Sequence, residues 1–210
     1  MQILKTLIKN PLKKTENTGL IFLIHGYGSN EKDLFSFSDL LPSNDYIIAL
    51  RAPILLDYDS FSWYDINIDN QFQKKTNISQ ANESIKMILK TINYFNDKFS
   101  IYGMNTLIGF SQGAILSWAI GLGNPHIVNR IAALSGFINT DFNFSFNSKS
   151  NKIKFFISHG IYDPIIPISY IKESLKFLKE KGLNLFLNEY KEGHGISKEN
   201  FEDLLNWLNN

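Results

Sequence analysis

The chain alternates short, unbroken apolar runs with longer segments in which apolar residues recur every three or four positions. Runs such as Leu20–Ile24 and Tyr46–Leu50 are typical of strands covered on both faces of a parallel sheet. The three- and four-residue spacing is clearest from Ile78 to Phe95, where it predicts a helix with one apolar face. The alternation continues to the C-terminus. It predicts a single α/β domain over residues 1–210, with a mostly parallel central sheet and helices on both faces.

Two stretches depart from this regular alternation. The predicted strands are Ile3–Ile8 (at a sheet edge), Leu20–Ile24, Tyr46–Leu50, Asn105–Ile108, Ile131–Leu134, Lys154–Ile157 and Leu185–Tyr190. The predicted helices run from about Glu31 to Leu41, from Ile78 to Phe95, from Gln112 to Leu122, from after Pro167 towards Gly182, and from about Ser197 onward. Residues 53–75 show no clear period and are predicted as a long loop with an unusually apolar content. Residues 139–151 are polar and irregular, too short and too hydrophilic to form a cap domain.

Composition and charge restrict the partners and the chemistry. The 210 residues carry 21 Lys and Arg against 20 Asp and Glu, a balance that gives no reason to expect nucleic acid as a partner. Cysteine is absent, which excludes disulfides, thiolate zinc sites and a cysteine nucleophile. Charges interrupt the apolar residues of the N-terminus, and no apolar run is long enough to span a bilayer. We therefore expect a cytoplasmic protein without integral membrane association, present as a monomer or a homodimer.

The stretch Gly109-Phe-Ser111-Gln-Gly113 carries the pattern G-x-S-x-G between a predicted strand and a predicted helix. The pattern is short and common by chance, so its strand-to-helix context gives it weight. Glycines on both sides let two backbones approach closely and let the serine occupy a sharp turn, from which its hydroxyl projects at the sheet edge. The alternative is an ordinary Gly-Ser turn. The context favours Ser111 as a nucleophile.

A nucleophilic serine needs an imidazole base to take its proton. Of the four histidines, His194 lies between two glycines after the last predicted strand, where its ring can reach the top of the sheet. His126 is interpreted as a surface residue, and His25 and His159 as residues that brace loops by hydrogen bonding. The alternative for His194 is a loop histidine that merely packs.

The base in turn needs a carboxylate to orient it. Asp163 follows the penultimate predicted strand, in a loop that Pro164 and Pro167 stiffen. Its alternative role is to cap the following helix, and the rival acid is Asp141, which lies in a polar stretch with no stiffening residue. Ser111, Asp163 and His194 follow one another in the order that α/β-hydrolases use.

The remaining parts of such a site are oxyanion donors and a wall for the acyl group. The donors are predicted to be the backbone N–H groups of Gln112 and Tyr27, because glycines flank Tyr27 and allow a tight bend. The alternative at this second position is a flexible glycine turn. Leu55, Trp63 and Tyr64 of the predicted long loop are expected to contact substrate, the alternative being simple packing over the helices.

Together these motifs resemble those of the phospholipase/carboxylesterase family of α/β-hydrolases, which includes bacterial carboxylesterases and acyl-protein thioesterases. The residues that carry the resemblance are His25-Gly-Tyr-Gly28, Arg51-Ala-Pro53, Ser62-Trp-Tyr-Asp65, Gly109-Phe-Ser-Gln-Gly113, His159-Gly-Ile-Tyr-Asp-Pro164 and Gly193-His-Gly195. The resemblance implies the same triad and the same two oxyanion donors. The family commonly has leucine where this chain has Tyr27, which keeps the backbone donor but narrows the acyl site.

The expected function is hydrolysis of carboxylic esters, with thioesters as a further substrate class, through an acyl-enzyme on Ser111. The expected partner is a small-molecule ester of short to medium acyl chain, and no metal or organic cofactor is implied. Three alternatives stay open on the same fold: a peptidase or lysophospholipase, a dienelactone-type hydrolase, which the missing cysteine disfavours, and a non-catalytic binding protein.

Overall fold

A computed structural model of the chain describes residues 3–68, 74–142, 146 and 148–210. Its strands are β1 (Thr6–Lys9), β2 (Leu20–Ile24), β3 (Tyr46–Leu50), β4 (Ile54–Asp57), β5 (Ser60–Ser62), β6 (Ile66–Ile68), β7 (Lys74–Thr76), β8 (Asn105–Phe110), β9 (Arg130–Leu134), β10 (Lys154–Gly160) and β11 (Asn188–Tyr190). Its α-helices are α1 (Lys32–Phe35), α2 (Ile78–Phe99), α3 (Gln112–Gly123), α4 (Ile168–Glu180) and α5 (Lys198–Leu208), and a 3-10 helix covers Ser148–Lys152.

Seven strands form the central sheet, in the order β1-β3-β2-β8-β9-β10-β11. Strand β1 lies at one edge, antiparallel to β3, and the other neighbours pair in parallel. The predicted fold class, a mostly parallel sheet with helices on both faces, is confirmed, and no cap domain is evident among the described residues. The sheet brings the carboxyl ends of β2, β8, β9 and β10 to one edge, where sites of open α/β sheets form.

Alternate residues of the buried strands supply two separate apolar cores. Leu20, Phe22 and Ile24 of β2 face the core that also contains the buried residues of α2, α3 and α4. Ile21 and Leu23 face the other side, where α1 and α5 pack. The continuous apolar runs follow from this arrangement, because both faces of each central strand are covered.

The helices that flank the site begin and end as their sequences predict. Helix α2 starts at Asn77, whose side chain accepts a hydrogen bond from the Gln80 N–H, and ends at Ser100 in a left-handed conformation. Helix α3 is buried on all sides, in keeping with its nearly continuous apolar sequence. Ser197 caps α5 by accepting from the Asn200 N–H.

Residues 53–75 differ from their prediction as one long loop. Strands β4 and β5 form one antiparallel hairpin, and β6 and β7 form another. These strands are three or four residues long, and β4 is mostly exposed, so they lack the alternation that reveals a strand. Residues 69–73 of the predicted loop lie outside the described part of the chain.

Smaller differences concern the ends of predicted elements. The helix expected from Glu31 to Leu41 has only four helical residues, followed by turns, and the last strand begins at Asn188 rather than Leu185. Within 139–151, residues 143–145 and 147 lie outside the described part. No helix in the described ranges has the length and apolar content that a membrane crossing requires.

Candidate active site

Ser111 occupies a strained turn between β8 and α3. Its backbone φ of 53° and ψ of −116° lie in a region that L-residues rarely adopt. The flanking glycines are sterically required: a Cβ added to Gly109 would lie 2.4 Å from the Gly113 carbonyl oxygen, and one added to Gly113 would lie 2.0 Å from the Ile24 carbonyl oxygen. The tight turn depends on both glycines, and it brings the first residues of α3 against the end of β2.

Ser111, His194 and Asp163 form a continuous chain of hydrogen bonds across three loops. His194 Nε2 lies 2.9 Å from Ser111 Oγ, and His194 Nδ1 lies 2.7 Å from Asp163 Oδ2. A carboxylate only accepts hydrogen bonds, so Nδ1 carries the ring proton and Nε2 accepts from the serine hydroxyl. The Asp163 side chain is fully buried, whereas the His194 side chain keeps 16% of its surface exposed.

The Asp163 carboxylate is held ionised by its surroundings. Burial by itself raises the pKa of this carboxyl, but hydrogen bonds from His194 and from the backbone N–H groups of Ile166 and Ile165 outweigh it and hold the pKa below its usual value. The two backbone bonds fix Oδ1, at 2.8 Å from the Ile165 nitrogen and 2.9 Å from that of Ile166, which leaves Oδ2 aimed at His194.

The rival acid and two of the other histidines form no hydrogen bond with Ser111 or His194 in the described part of the chain. Asp141 is exposed in the segment after β9, and the structure places Asp163, not Asp141, against His194. His126 is exposed, as expected for a surface residue. His25 braces its loop, since its Nδ1–H donates to the Gly26 carbonyl and its Nε2 accepts from the Ala52 N–H. Burial lowers the pKa of His25, which favours this neutral form.

The loop after β2 lies directly beside the serine. A Cβ added to Gly26 would lie 3.4 Å from Ser111 Cβ. Among the described residues, no acceptor pairs with the backbone N–H of Tyr27 or with that of Gln112. Gly28 has a positive φ of 78° and donates its N–H to the Phe61 carbonyl, so hairpin β4–β5 fixes this loop. The Tyr27 side chain is 47% exposed.

Of the three residues expected to contact substrate, two lie inside the protein. Trp63 and Tyr64 are buried, with exposures of 0% and 2%, so neither reaches a ligand in this conformation, while Leu55 is 63% exposed. Trp63 instead donates its indole N–H to the His25 carbonyl, 2.8 Å away. Trp63 and Tyr64 thus pack inside the protein. For Trp63 this burial is favourable because the polar edge of its indole has a hydrogen-bond partner there.

The Gln112 side chain is a structural link that sequence reasoning missed. Its Oε1 accepts from the Trp63 N–H at 2.9 Å, and its Nε2 donates to the Tyr64 carbonyl at 2.7 Å. The residue after the serine thus holds the loop that supports His25. A polar residue at the start of an otherwise apolar buried helix was the available signal, because a buried amide needs hydrogen-bond partners.

An ion pair between Arg51 and Glu31 holds the segments around the loop after β2. Arg51 donates from Nε and Nη2 to the two oxygens of Glu31, at 2.5 and 2.6 Å, and Glu31 is only 2% exposed. The Arg51 guanidinium also lies over the Phe61 ring, 4.4 Å from its centroid. Helix α1, the end of β3 and hairpin β4–β5 are held together at this point.

A cavity of about 610 Å³ lies beside the segment that follows β9, and Ser111, Asp163 and His194 are not among the residues that line it. A Cβ added to Gly136 would lie 3.2 Å from the Ser111 carbonyl oxygen, and the next residue, Phe137, lines the cavity. The apolar lining includes Phe137, Ile138, Tyr170 and Phe177, and the polar lining includes Asp141 and Glu173. Its volume falls within the range of small-molecule sites.

Metal ligands are not clustered in the described ranges: no group of three or more His, Asp or Glu side chains there is arranged to hold an ion. The side chains at the end of β8 and in the two later loops offer nucleophilic and acid–base chemistry. A hydroxyl, an imidazole and a buried carboxylate lie in sequence, beside two backbone N–H groups without acceptors.

The fold and this constellation define a serine hydrolase of the α/β-hydrolase class. The profile of the Phospholipase/Carboxylesterase family matches residues 6–210, and the chain belongs to that family. The family resemblance seen in the sequence motifs is thereby confirmed.

Similar proteins extend the comparison. Acyl-protein thioesterase 1 of Yarrowia lipolytica is 30% identical over 217 aligned residues, which cover 93% of this chain and 92% of that protein. Acyl-protein thioesterase 1 of Mycosarcoma maydis is 27% identical, over 86% of this chain and 84% of that protein. The crystal structure of the Bacillus cereus carboxylesterase shares the fold, with a TM-score of 0.83 over 98% of this chain and 93% of that one, at 15% identity.

Proposed function

We propose that this protein hydrolyses carboxylic esters, and thioesters as a second class, by way of an acyl-enzyme on Ser111. The observation that carries the proposal is the hydrogen-bond chain from Ser111 Oγ through His194 to Asp163, with links of 2.9 and 2.7 Å. A nucleophile joined to a base, which is joined in turn to an orienting carboxylate, is the arrangement that acyl transfer requires. The family membership and the thioesterase relatives support it.

In the first half of the reaction, Ser111 Oγ attacks the carbonyl carbon while His194 Nε2 takes the hydroxyl proton. The negative charge that develops on the carbonyl oxygen is received by the N–H groups of Tyr27 and Gln112, which have no protein acceptor among the described residues. The buried Asp163 carboxylate stabilises the imidazolium that forms. Collapse of the intermediate breaks the ester bond, and His194 gives its proton to the leaving alcohol or thiol.

In the second half, water attacks the acyl-enzyme. His194 takes one proton from the water, the same two N–H groups receive the oxyanion, and the proton returns to Ser111 Oγ as the carboxylic acid leaves. The cycle consumes one ester and one water and regenerates the free serine. Every proton transfer in the cycle uses His194 Nε2, and these transfers need no cofactor.

The cavity beside Phe137 is the proposed place for part of the substrate. Its volume of about 610 Å³ falls within the range of ligand sites, and its lining combines apolar side chains such as Phe137 and Phe177 with polar ones such as Asn139 and Glu173, which suits an acyl group of short to medium length together with a polar part of the substrate. Leu55, which is 63% exposed in β4, is a second proposed contact and does not line this cavity. Because Trp63 and Tyr64 are buried, their part is to support the loop.

The mechanism is tested by comparing wild type with Ser111→Ala on p-nitrophenyl esters of graded chain length, with matching thioesters and anilides. Ser111→Ala is expected to lose several orders of magnitude in kcat, because the nucleophile acts with its partners as a unit. Asp163→Asn is expected to lose most activity, while Asp141→Asn, which changes the cavity lining and not the partner of His194, is expected to keep kcat on p-nitrophenyl acetate and to change at most KM. A Ser111→Ala variant with wild-type turnover would refute the mechanism.

The same panel separates the alternative functions. Cleavage of anilides at rates near those of esters would indicate a peptidase, and failure of a fluorophosphonate probe to label Ser111 would indicate a binding protein. For the acyl site, Phe137→Ala is expected to change KM more for longer chains than for acetate. Equal effects at every chain length would move the acyl group away from the cavity.

A further inference from the structure

A second histidine lies against the acid of the proposed triad. The His159 side chain is fully buried, and its Nε2 lies 2.8 Å from the Ile166 carbonyl oxygen and 3.4 Å from Asp163 Oδ2. A carbonyl oxygen only accepts hydrogen bonds, so Nε2 carries the ring proton. The ring N–H therefore donates to the Ile166 carbonyl, and Asp163 Oδ2, the oxygen that His194 uses, is a close neighbour of the same nitrogen rather than its hydrogen-bond partner.

Ile166 closes a ring of contacts around the carboxylate. Its carbonyl accepts from His159, and its backbone N–H donates to Asp163 Oδ1 at 2.9 Å. A displacement of the His159 ring therefore releases Ile166, and through Ile166 it releases the oxygen that is not bonded to His194. The position of Asp163 Oδ1 is therefore linked to His159 through Ile166.

The other ring nitrogen of His159, Nδ1, is buried and makes no hydrogen bond with any described residue, so the role of the ring lies with Nε2. An unpaired buried polar atom is destabilising, and an apolar side chain of similar size would avoid that cost. The hydrogen bond that the ring does make is the one from Nε2 to the Ile166 carbonyl.

The backbone beside His159 also meets the loop that carries the base. A Cβ added to Gly160 would lie 2.2 Å from the Gly193 carbonyl oxygen, and the Tyr162 N–H donates to the Glu192 carbonyl at 3.1 Å. The acid loop and the base loop thus have a fixed relation at their backbones. These contacts fix the two backbones but not the direction in which the Asp163 carboxylate points.

We propose that His159 is a positioning residue, whose Nε2–H holds Ile166 and through it orients the Asp163 carboxylate towards His194. The inference rests on the proposed function, because it acts through the acid of that triad. His159 does not contact Ser111, and it transfers no proton. Its effect is expected on kcat rather than on KM, because the geometry of the base matters for the chemical step and not for substrate binding.

The test compares two replacements of similar length. His159→Gln keeps an N–H donor near the position of Nε2, whereas His159→Met removes it, and the exposed His126→Met serves as control. Each is made in wild type and in Asp163→Asn, with kcat and KM on p-nitrophenyl acetate and the rate of fluorophosphonate labelling measured per folded molecule. If His159→Met does not fold, His159→Asn, whose amide is one methylene shorter, replaces it in the comparison.

His159→Met is expected to lower kcat and the labelling rate about 10- to 100-fold at unchanged KM, the range for a displaced catalytic group. His159→Gln should recover most of that loss, and in Asp163→Asn the change to Met should have no further effect, because its target is gone. Wild-type kcat in His159→Met, equal losses with Gln and Met, or the same factor in the Asp163→Asn background would overturn the proposal. Full activity of Asp163→Asn itself would instead refute the proposed function.

Discussion

Gly113 offers a stringent test of the turn that presents the serine. It is the second residue of α3, and its α-carbon faces the end of β2. A Cβ added there would lie 2.0 Å from the Ile24 carbonyl oxygen, 2.6 Å from the Ile24 carbonyl carbon and 2.8 Å from the His25 carbonyl oxygen. All three are backbone atoms of β2 and of the loop that follows it, so Gly113→Ala cannot be accommodated by rotating a side chain.

The expected magnitude follows from these distances. Since real Cβ contacts are essentially never shorter than 3.0 Å, the helix and β2 must separate by about 1 Å. Overpacking against side chains costs about 1–3 kcal/mol, and backbone on both sides puts this site at or above the upper end. Alanine returns at most about 1 kcal/mol in helix propensity, which leaves a net loss of about 2 kcal/mol or more. A 1 Å shift between Ser111 and the Tyr27 N–H is expected to cost about 100-fold in kcat.

Gly121→Ala is the matched control on the same helix. Its added Cβ would lie 2.1 Å from Ile131 Cδ1, a nominally equal overlap with the far end of a flexible side chain. The isoleucine can change rotamer, and the gain in helix propensity offsets part of the strain, so the net change is expected within about 1 kcal/mol. Because Gly121 lies two turns beyond the site, kcat should be unchanged.

The assay is urea unfolding of both variants together with kcat on p-nitrophenyl acetate. Gly113→Ala should show a lower transition midpoint and a lower kcat, and Gly121→Ala should resemble wild type in both. If Gly113→Ala kept wild-type stability and turnover, or if the two variants lost the same amount, the steric account of the serine turn would be refuted.

Two further predictions concern charges. The pKa of Asp163 is lowered in the folded protein, so its stabilising effect should be complete above the ordinary aspartate pKa of about 3.9 and lost as the pH falls through the lower folded value. The gap in unfolding free energy between wild type and Asp163→Asn should therefore shrink only below about pH 4, and a gap that widens there would contradict the lowered pKa. Arg51→Met leaves the buried Glu31 carboxylate without its bidentate partner and should lower the unfolding free energy by about 3 kcal/mol in urea titrations, with partial recovery when Glu31→Gln is added. No recovery in the double variant would show that Arg51 acts by packing on Phe61 instead.

The elements that could be predicted are those whose apolar pattern reflects burial along the whole segment. Strand β2 and helix α2 have the predicted positions, because each packs one or both faces against the core over its full length. Hairpins β4–β5 and β6–β7 could not be found in this way. Their strands are short and pair only with each other, so few of their side chains are buried in an alternating pattern.

Part of the candidate site could be predicted from chain order alone. Each of the three site residues follows a strand of a parallel sheet, which is enough to predict that they meet at one edge. The structure places Ser111, Asp163 and His194 at hydrogen-bonding distance. The burial of Trp63 and Tyr64 could not be predicted, because aromatic residues suit a ligand wall and a core equally well. Their burial depends on Gln112 and His25, which are distant in the sequence.

Local pattern, together with the rule that parallel strands end at one edge, is enough to predict the α/β alternation, the glycine-flanked serine turn and the order of the three site residues. Three features required the three-dimensional structure: which acid faces His194, which aromatic residues are buried, and the position of His159 against Asp163. These are distances between side chains on different loops. They are fixed by hydrogen bonds and close backbone contacts that no local pattern encodes, such as those of Gln112 to the Trp63 loop and of Gly160 to Gly193.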